Sequence, residues 1–357
     1  MRAHHPLRRI GATLLLLASA ACSSVESPST PAGGDAAAAA DRAAAVFFDD
    51  TRPKAERLAA ARQLDYGDDE RFADLLAVGT DRSLDDDLRW AALRRHRFDG
   101  RYVNAVLAIL EDPSDGDEQL NADLIQDLGR RSLRIPPEFT QKIVATLRSL
   151  LDDPRLPVRV AAYNVLVANH DTVAVGRLTD SVRADPTALP IPAVNAVRLL
   201  YLDGSVFHLE VLRPFLDHPQ AEVRAEAAQA LAIDPDSQPR IVELATDPET
   251  EPVVRLLALP ALAREDAGFE EYGLRLVANG QEDPAVRRAA MKAYVARMNY
   301  SPVDPKTQIR FAETVERVSI EQGPPAGDGA LLRREAKELL VYLRKAFPAI
   351  EAHYGPR

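Results

Sequence analysis

The chain has 357 residues, 46% of them hydrophobic but only 6% aromatic, and carries a formal net charge of −10. This supplies core for one large domain, two ordinary ones or a repeat array, and small aliphatic residues favour packed helices over a β-sandwich. The acidic balance argues against nucleic acid, where phosphate neutralisation supplies much of the affinity.

Residues 1–22 read MRAHHPLRRIGATLLLLASAAC: three arginines, then a run of twelve apolar or small residues ending at Ala21, then the chain's one cysteine, Cys22. The run is too short to span a bilayer and has the layout of a secretory signal. Small residues directly before a cysteine resemble a bacterial lipoprotein signal. In that family the chain is cut before the cysteine, which is then diacylated, and the resemblance implies the same for Cys22. A lone thiol cannot form an internal disulfide in an oxidising compartment, and acylation would consume it. Loss of residues 1–21 takes three arginines and no acid, shifting the charge from −10 to −13. Residues 22–34 then form a lipidated, Pro- and Gly-containing tether that reaches about 20 Å when flexible. Ser23 after the cysteine is not the Asp that retains many lipoproteins at the inner membrane. The expected address is therefore the outer membrane, facing the periplasm.

From Asp35 to Pro348 one pattern recurs: an apolar Val or Leu, an Arg, two free positions, then Ala. It runs through Leu88-Arg89, Val158-Arg159, Val223-Arg224, Val254-Arg255, Val286-Arg287 and Leu332-Arg333, with Arg57 and Ala60 as an earlier copy. Weaker copies lie at Leu120-Asn121 and near Val194-Asn195. Helices near 36–48, 70–78, 101–111, 139–151, 172–184, 205–216, 238–246, 267–279 and 304–321 are expected to alternate with them. Gly, Asp and Pro punctuate the joints. Nine hairpins at this period mark a solenoid. Positions 0, +4 and +8 share one helical face, so Val158, Ala162 and Leu166 should form a buried stripe. Residues 349–357 are left as a tail.

The Asp, Pro, Val-Arg and Ala arrangement is similar to HEAT repeats, particularly the short bacterial kind found in phycobilisome lyase subunits. The resemblance implies an all-α, right-handed α-solenoid of about nine HEAT-like helical hairpins. It also implies ladders between neighbouring units, from Asp in the inter-helix turn to Arg in the second helix. Asp153 with Arg159, Asp217 with Arg224 and Asp247 with Arg255 are placed for this, whereas Asp283 lies only four residues before Arg287.

No phosphate-cradling glycine loop, nucleophile elbow or paired-His zinc motif appears, and His96, His170, His208, His218 and His353 lack metal-ligand spacing. No catalytic residue, metal or cofactor is therefore expected, and the acids of 85–87 and 115–118 are taken as loop charges. The expected function is a non-catalytic, membrane-tethered scaffold of the bacterial cell envelope. It would bind a protein or peptide partner, touch the membrane through its lipid anchor only, and bind no nucleic acid. The alternative is an enzyme or enzyme-assembly factor of the HEAT-like lyase or glycosylase type. In such solenoids the second helices line the concave face, so positions +2, +6 and +9 should meet the partner. Trp90, Arg94, Arg97, Val160, Asn164, Leu256, Arg288, Lys292 and Arg334 are the candidates, with basic ends and a neutral, partly apolar middle.

The export signal yields a direct expectation. Mature protein should incorporate labelled fatty acid and sediment with membranes, and Cys22→Ser should abolish the labelling; a variant that still labels would refute anchoring at this residue.

Overall fold

The computed structural model describes residues 33–64, 69–95, 100–130, 137–203, 209–266 and 268–355. The signal, Cys22 and nearly all of the tether lie outside them, as do Arg97, His96 and His208. Among the described residues the chain is all-α, with nineteen α-helices and no strand.

The chain divides into two compact units, residues 1–65 and 66–357. The first holds one hairpin, α1 (Gly33–Phe47) and α2 (Lys54–Ala61), packed through Ala40, Ala43, Ala44, Phe47 and Ala61.

The second unit is an α-solenoid of eight hairpins. Its first helices are α3 (Asp69–Thr80), α5 (Gly100–Glu111), α7 (Thr140–Ser149), α9 (Thr172–Ala184), α11 (Leu209–Leu212), α13 (Gln238–Thr246), α15 (Phe269–Ala278) and α17 (Pro305–Ile320). Its second helices are α4 (Asp86–Leu93), α6 (Glu118–Arg130), α8 (Leu156–Ala168), α10 (Ala193–Leu202), α12 (Ala221–Ala230), α14 (Pro252–Glu265), α16 (Pro284–Tyr300) and α18 (Asp328–Ala346). A short helix, α19 (Pro348–Tyr354), packs on α17 and α18 and buries Ile350 where a tail is expected. The starts follow local chemistry: Asp85, Asp171, Asp283 and Asp304 cap their helices through backbone N–H groups, and Pro occupies the first turn of α8, α13, α14, α16, α17 and α19.

Second helices stack one on the next from α4 to α18. Val158, Ala162 and Leu166 are all buried, as the stripe requires, and so are Val223, Ala227 and Leu231, and Val254, Ala258 and Leu262. Offset +9, expected in the groove, is core instead: Val167, Ala232 and Ala263 are buried because the next second helix covers that flank.

The repeated arginine lies between these layers, and its partners differ from the expected ones. In four repeats Nε donates to the carbonyl ten residues earlier, in the last turn of the preceding first helix: Arg57 to Phe47 (2.8 Å), Arg89 to Gly79 (3.2 Å), Arg255 to Ala245 (3.1 Å) and Arg287 to Val277 (3.0 Å). The rest of the guanidinium reaches forward to a carboxylate near the start of the following repeat's second helix. Arg89 meets Asp115 at 2.6 Å, Arg255 meets Glu282 at 2.8 and 2.5 Å, and Arg287 meets Glu321 at 2.8 and 2.6 Å. Arg224 meets Glu251 in the same way. The turn aspartates of the expected ladder are used elsewhere. Asp217 pairs with Arg240, the Asp247 carboxylate accepts the Glu249 N–H, and Asp153 pairs with Arg155, offering Arg159 only its backbone carbonyl. Arg159 and Arg224 do reach back six residues, but to the carbonyls of Asp153 and His218 and not to a turn carboxylate. Asp283 caps α16, so it too is occupied.

Two stability outcomes follow. Val158 is fully buried, so Val158→Asp places an unpaired charge in the core and should cost roughly 3 kcal/mol or more in chemical denaturation. Arg255→Met leaves Glu282 and the Ala245 carbonyl buried without a partner and should cost about 3–5 kcal/mol, whereas Arg255→Met with Glu282→Met should cost less. Burial pushes the Glu282 carboxyl up, but the hydrogen bonds and charge of Arg255 pull it down further, below its ordinary 4.5. A carboxylate held low stabilises the fold above its unfolded value and loses that contribution as pH falls through the folded one. Stability should thus decline below about pH 4.5, and Glu282→Gln should flatten that limb.

Candidate functional site

Along the second-helix row, the side facing away from the first helices carries offsets +2 and +6. Trp90 is half-buried against the core of α4, and Arg94 is exposed one turn further on. Val160 and Asn164 occupy the same side of α8, half-buried, followed by Val194 and Asn195 on α10. On α14 the strip continues with Leu256 and Leu257, half-buried, and Pro260, exposed. Pro260 sits inside its helix and has no N–H, so the Leu256 carbonyl lacks its i+4 donor. The strip therefore offers apolar contact area and one helix carbonyl that lacks its i+4 donor. A proline at +6 is the sequence signal for that acceptor.

The charged ends are arranged differently from the expectation. Arg288 and Lys292 of α16 both reach Glu335 of α18, at 3.2 and 3.1 Å, and Arg288 also lies 3.8 Å from Asp328. Burial pushes Glu335 up and its two cations outweigh that, holding the carboxyl below the usual range. One basic end of the strip is thus closed upon itself by α18, whose Glu335 sequence reading does not single out. Mid-strip, Arg198 of α10 is likewise paired with Glu226 of α12. Arg334 remains exposed on α18, on a different flank from the Arg288 cluster. The structure therefore brings Val160, Asn164 and Leu256 onto one surface, sets Trp90 and Arg94 at its start, and engages Arg288 and Lys292 internally.

A cavity of about 320 Å³ opens beside α15, lined by Thr246, Pro248, Tyr272, Arg275, Leu276, Asn279 and Glu282. Its carboxylate is the one held by Arg255. Burial, with the nearby Asp266 charge, pushes the Tyr272 phenol far above its ordinary value, so it is a hydrogen-bond donor and not a base. The histidines stay apart: His170 faces Asp203 at 2.9 Å, His218 is buried with its imidazole pKa lowered chiefly by desolvation, and His353 faces Glu313 at 3.2 Å. The acids taken as loop charges have structural roles. Asp115 is buried against Arg89 and Arg82, while Asp86 pairs with Arg89 and accepts the Asp117 N–H.

The sequence matches no protein-family model, and no curated protein matches it. Among solved structures, the chain is similar to the complex of CpcE and CpcF of phycocyanin lyase from Nostoc sp. PCC7120, at 18% identity over 89% of this chain and 97% of that one, with a TM-score of 0.33. An engineered protein is similar at 18% identity over 67% of this chain and 96% of its own, with a TM-score of 0.28. Likenesses of this size carry over no substrate or partner. The expectation that the chain is not an enzyme is nonetheless withdrawn, because a structure it is similar to is that of a lyase. Stacked helical hairpins support chemistry as readily as binding, so the want of a familiar catalytic motif does not set the class.

Proposed function

We propose that this protein is a HEAT-like solenoid held at the bacterial cell envelope by a lipid on Cys22, and that it binds a segment of another protein along its second-helix row. The observation that carries the reading is the strip from Val160 through Val194 to Leu256 and Leu257, apolar, half-buried and bordered by polar side chains. Apolar area interrupted at Leu256 by a helix carbonyl that lacks its i+4 donor suits a polypeptide, which brings both side chains and N–H donors. A nucleic acid would want continuous positive charge, and Arg198, Arg288 and Lys292 are already paired with Glu226 and Glu335. The tether rests on the N-terminal sequence: a signal, a single cysteine and a polar spacer. No described helix is long and apolar enough to cross a membrane.

Photo-crosslinking in cells tests the binding face. A crosslinking side chain at Val160 or Leu256 should trap one discrete protein, and one at Asp180 on α9, in the first-helix row, should trap none. Trapping from Asp180 but not from Val160 or Leu256 would overturn the assignment.

A further inference from the structure

Helix α18 presents an exposed stripe of charged and aromatic side chains. Arg334, Lys337, Glu338, Val341, Tyr342 and Lys345 are all exposed, and their spacing of three and four places them on one helical face about 16 Å long. In the earlier second helices the position of Lys337, five after the repeat's apolar residue, is core: Leu93, Ile125, Tyr163, Ala228, Leu259 and Met291 are each at most 2% exposed. There the next second helix covers them. No described second helix covers this flank of α18, which is basic and aromatic.

Charge is the second observation. In this acidic chain the arginines are mostly engaged, and those of α16 and α18 nearest by are engaged too: Arg288 with Glu335, Arg297 with Glu270, Arg344 with Glu316 and the face of Tyr354. Arg334, Lys337 and Lys345 have no ion pair among the described residues. Between them Val341 and Tyr342 are 40% and 42% exposed, and the Tyr342 hydroxyl is fixed 3.1 Å from Asn299, next to Tyr300 at 83% exposure. Fixed aromatic rings beside unpaired cations form an anchor with a surrounding field.

We propose that this face of α18 is a docking site for an acidic segment of a partner protein, carrying carboxylates spaced to meet Arg334, Lys337 and Lys345 and an aliphatic side chain that seats on Val341 and Tyr342. It is a separate surface from the strip of α8 to α14 and stands or falls independently of it. Glu338 in mid-stripe and the small apolar area disfavour a lipid surface, which rewards a broad apolar face.

The test uses the mature full-length chain and a fluorescent twelve-residue peptide of glutamates with leucine at every fourth position. A second peptide has glutamine in place of glutamate. Anisotropy should show saturable binding of the acidic peptide alone, weakening as salt rises. Lys337→Glu with Lys345→Glu should reduce affinity at least about tenfold, and Val341→Ser with Tyr342→Ser should also reduce it. Circular dichroism melts of the Lys337→Glu, Lys345→Glu variant should be unchanged, because both lysines are exposed. Arg183→Glu on α9 should bind as the parent does. Equal affinity in the Lys337/Lys345 variant would overturn the proposal. So would binding to phosphatidylglycerol vesicles in preference to the peptide, or self-association of the chain that this variant abolishes.

Discussion

A guanidinium buried between two hairpins is the interaction on which this solenoid depends. The last carbonyls of any helix have no intrahelical donor, and they sit at the negative end of its dipole. Arg57, Arg89, Arg255 and Arg287 each supply a donor to one such carbonyl, ten residues back. The charge that Arg89, Arg255 and Arg287 bring into the interior is then met by a carboxylate of the next repeat. A buried ion pair adds little net stability over an apolar substitute, but breaking one is costly. Its effect here is on register: a hairpin stacked out of step would leave a carboxylate and a guanidinium unmatched.

The ladder is not uniform. Asn121 takes the arginine's place in α6 and bonds the carbonyls of Asp115 and Asp117, within its own turn. Arg159 reaches the Pro190 carbonyl instead of a carboxylate. The first-helix row compensates with pairs of its own. Arg148 reaches forward to Asp171 while Arg177 reaches back to Asp152, and 65 residues on Arg213 reaches Asp234 while Arg240 reaches back to Asp217. This reciprocal cross recurs across two hairpins, which matches the 65-residue step between Arg159 and Arg224. Exposed pairs of this kind contribute little singly; interlocked, they hold neighbouring turns in phase.

Much of the architecture is legible in the sequence because it depends on local periodicity. Apolar residues at 0, +4 and +8 and the Asp-Pro starts locate nearly every helix, and the 172–184 and 238–246 spans coincide with α9 and α13. The partners of the repeated arginine were not legible. Glu251, Glu282 and Glu321 lie 27 to 34 residues downstream, and only the packing of one hairpin on the next brings them close. The same limit applies to the strip: Arg288 and Lys292 read as free cations until α18 places Glu335 between them. The extra turn of α19 escaped notice because seven residues with a single buried side chain, Ile350, carry too little periodicity to register.

The direction of each rung has a consequence for how such an array is inherited. Arg89, Arg255 and Arg287 each look back to a carbonyl, which any residue provides, and forward to an acid 26 to 34 residues on. Excising or duplicating the stretch from one arginine to just before the next therefore leaves each junction with a donor and an acceptor still matched. Arrays of different length can arise by unequal recombination without passing through an intermediate that strands a charge in the interior. A break placed between an arginine and its acid has no such tolerance, so the permitted crossover points are confined to a few residues per repeat.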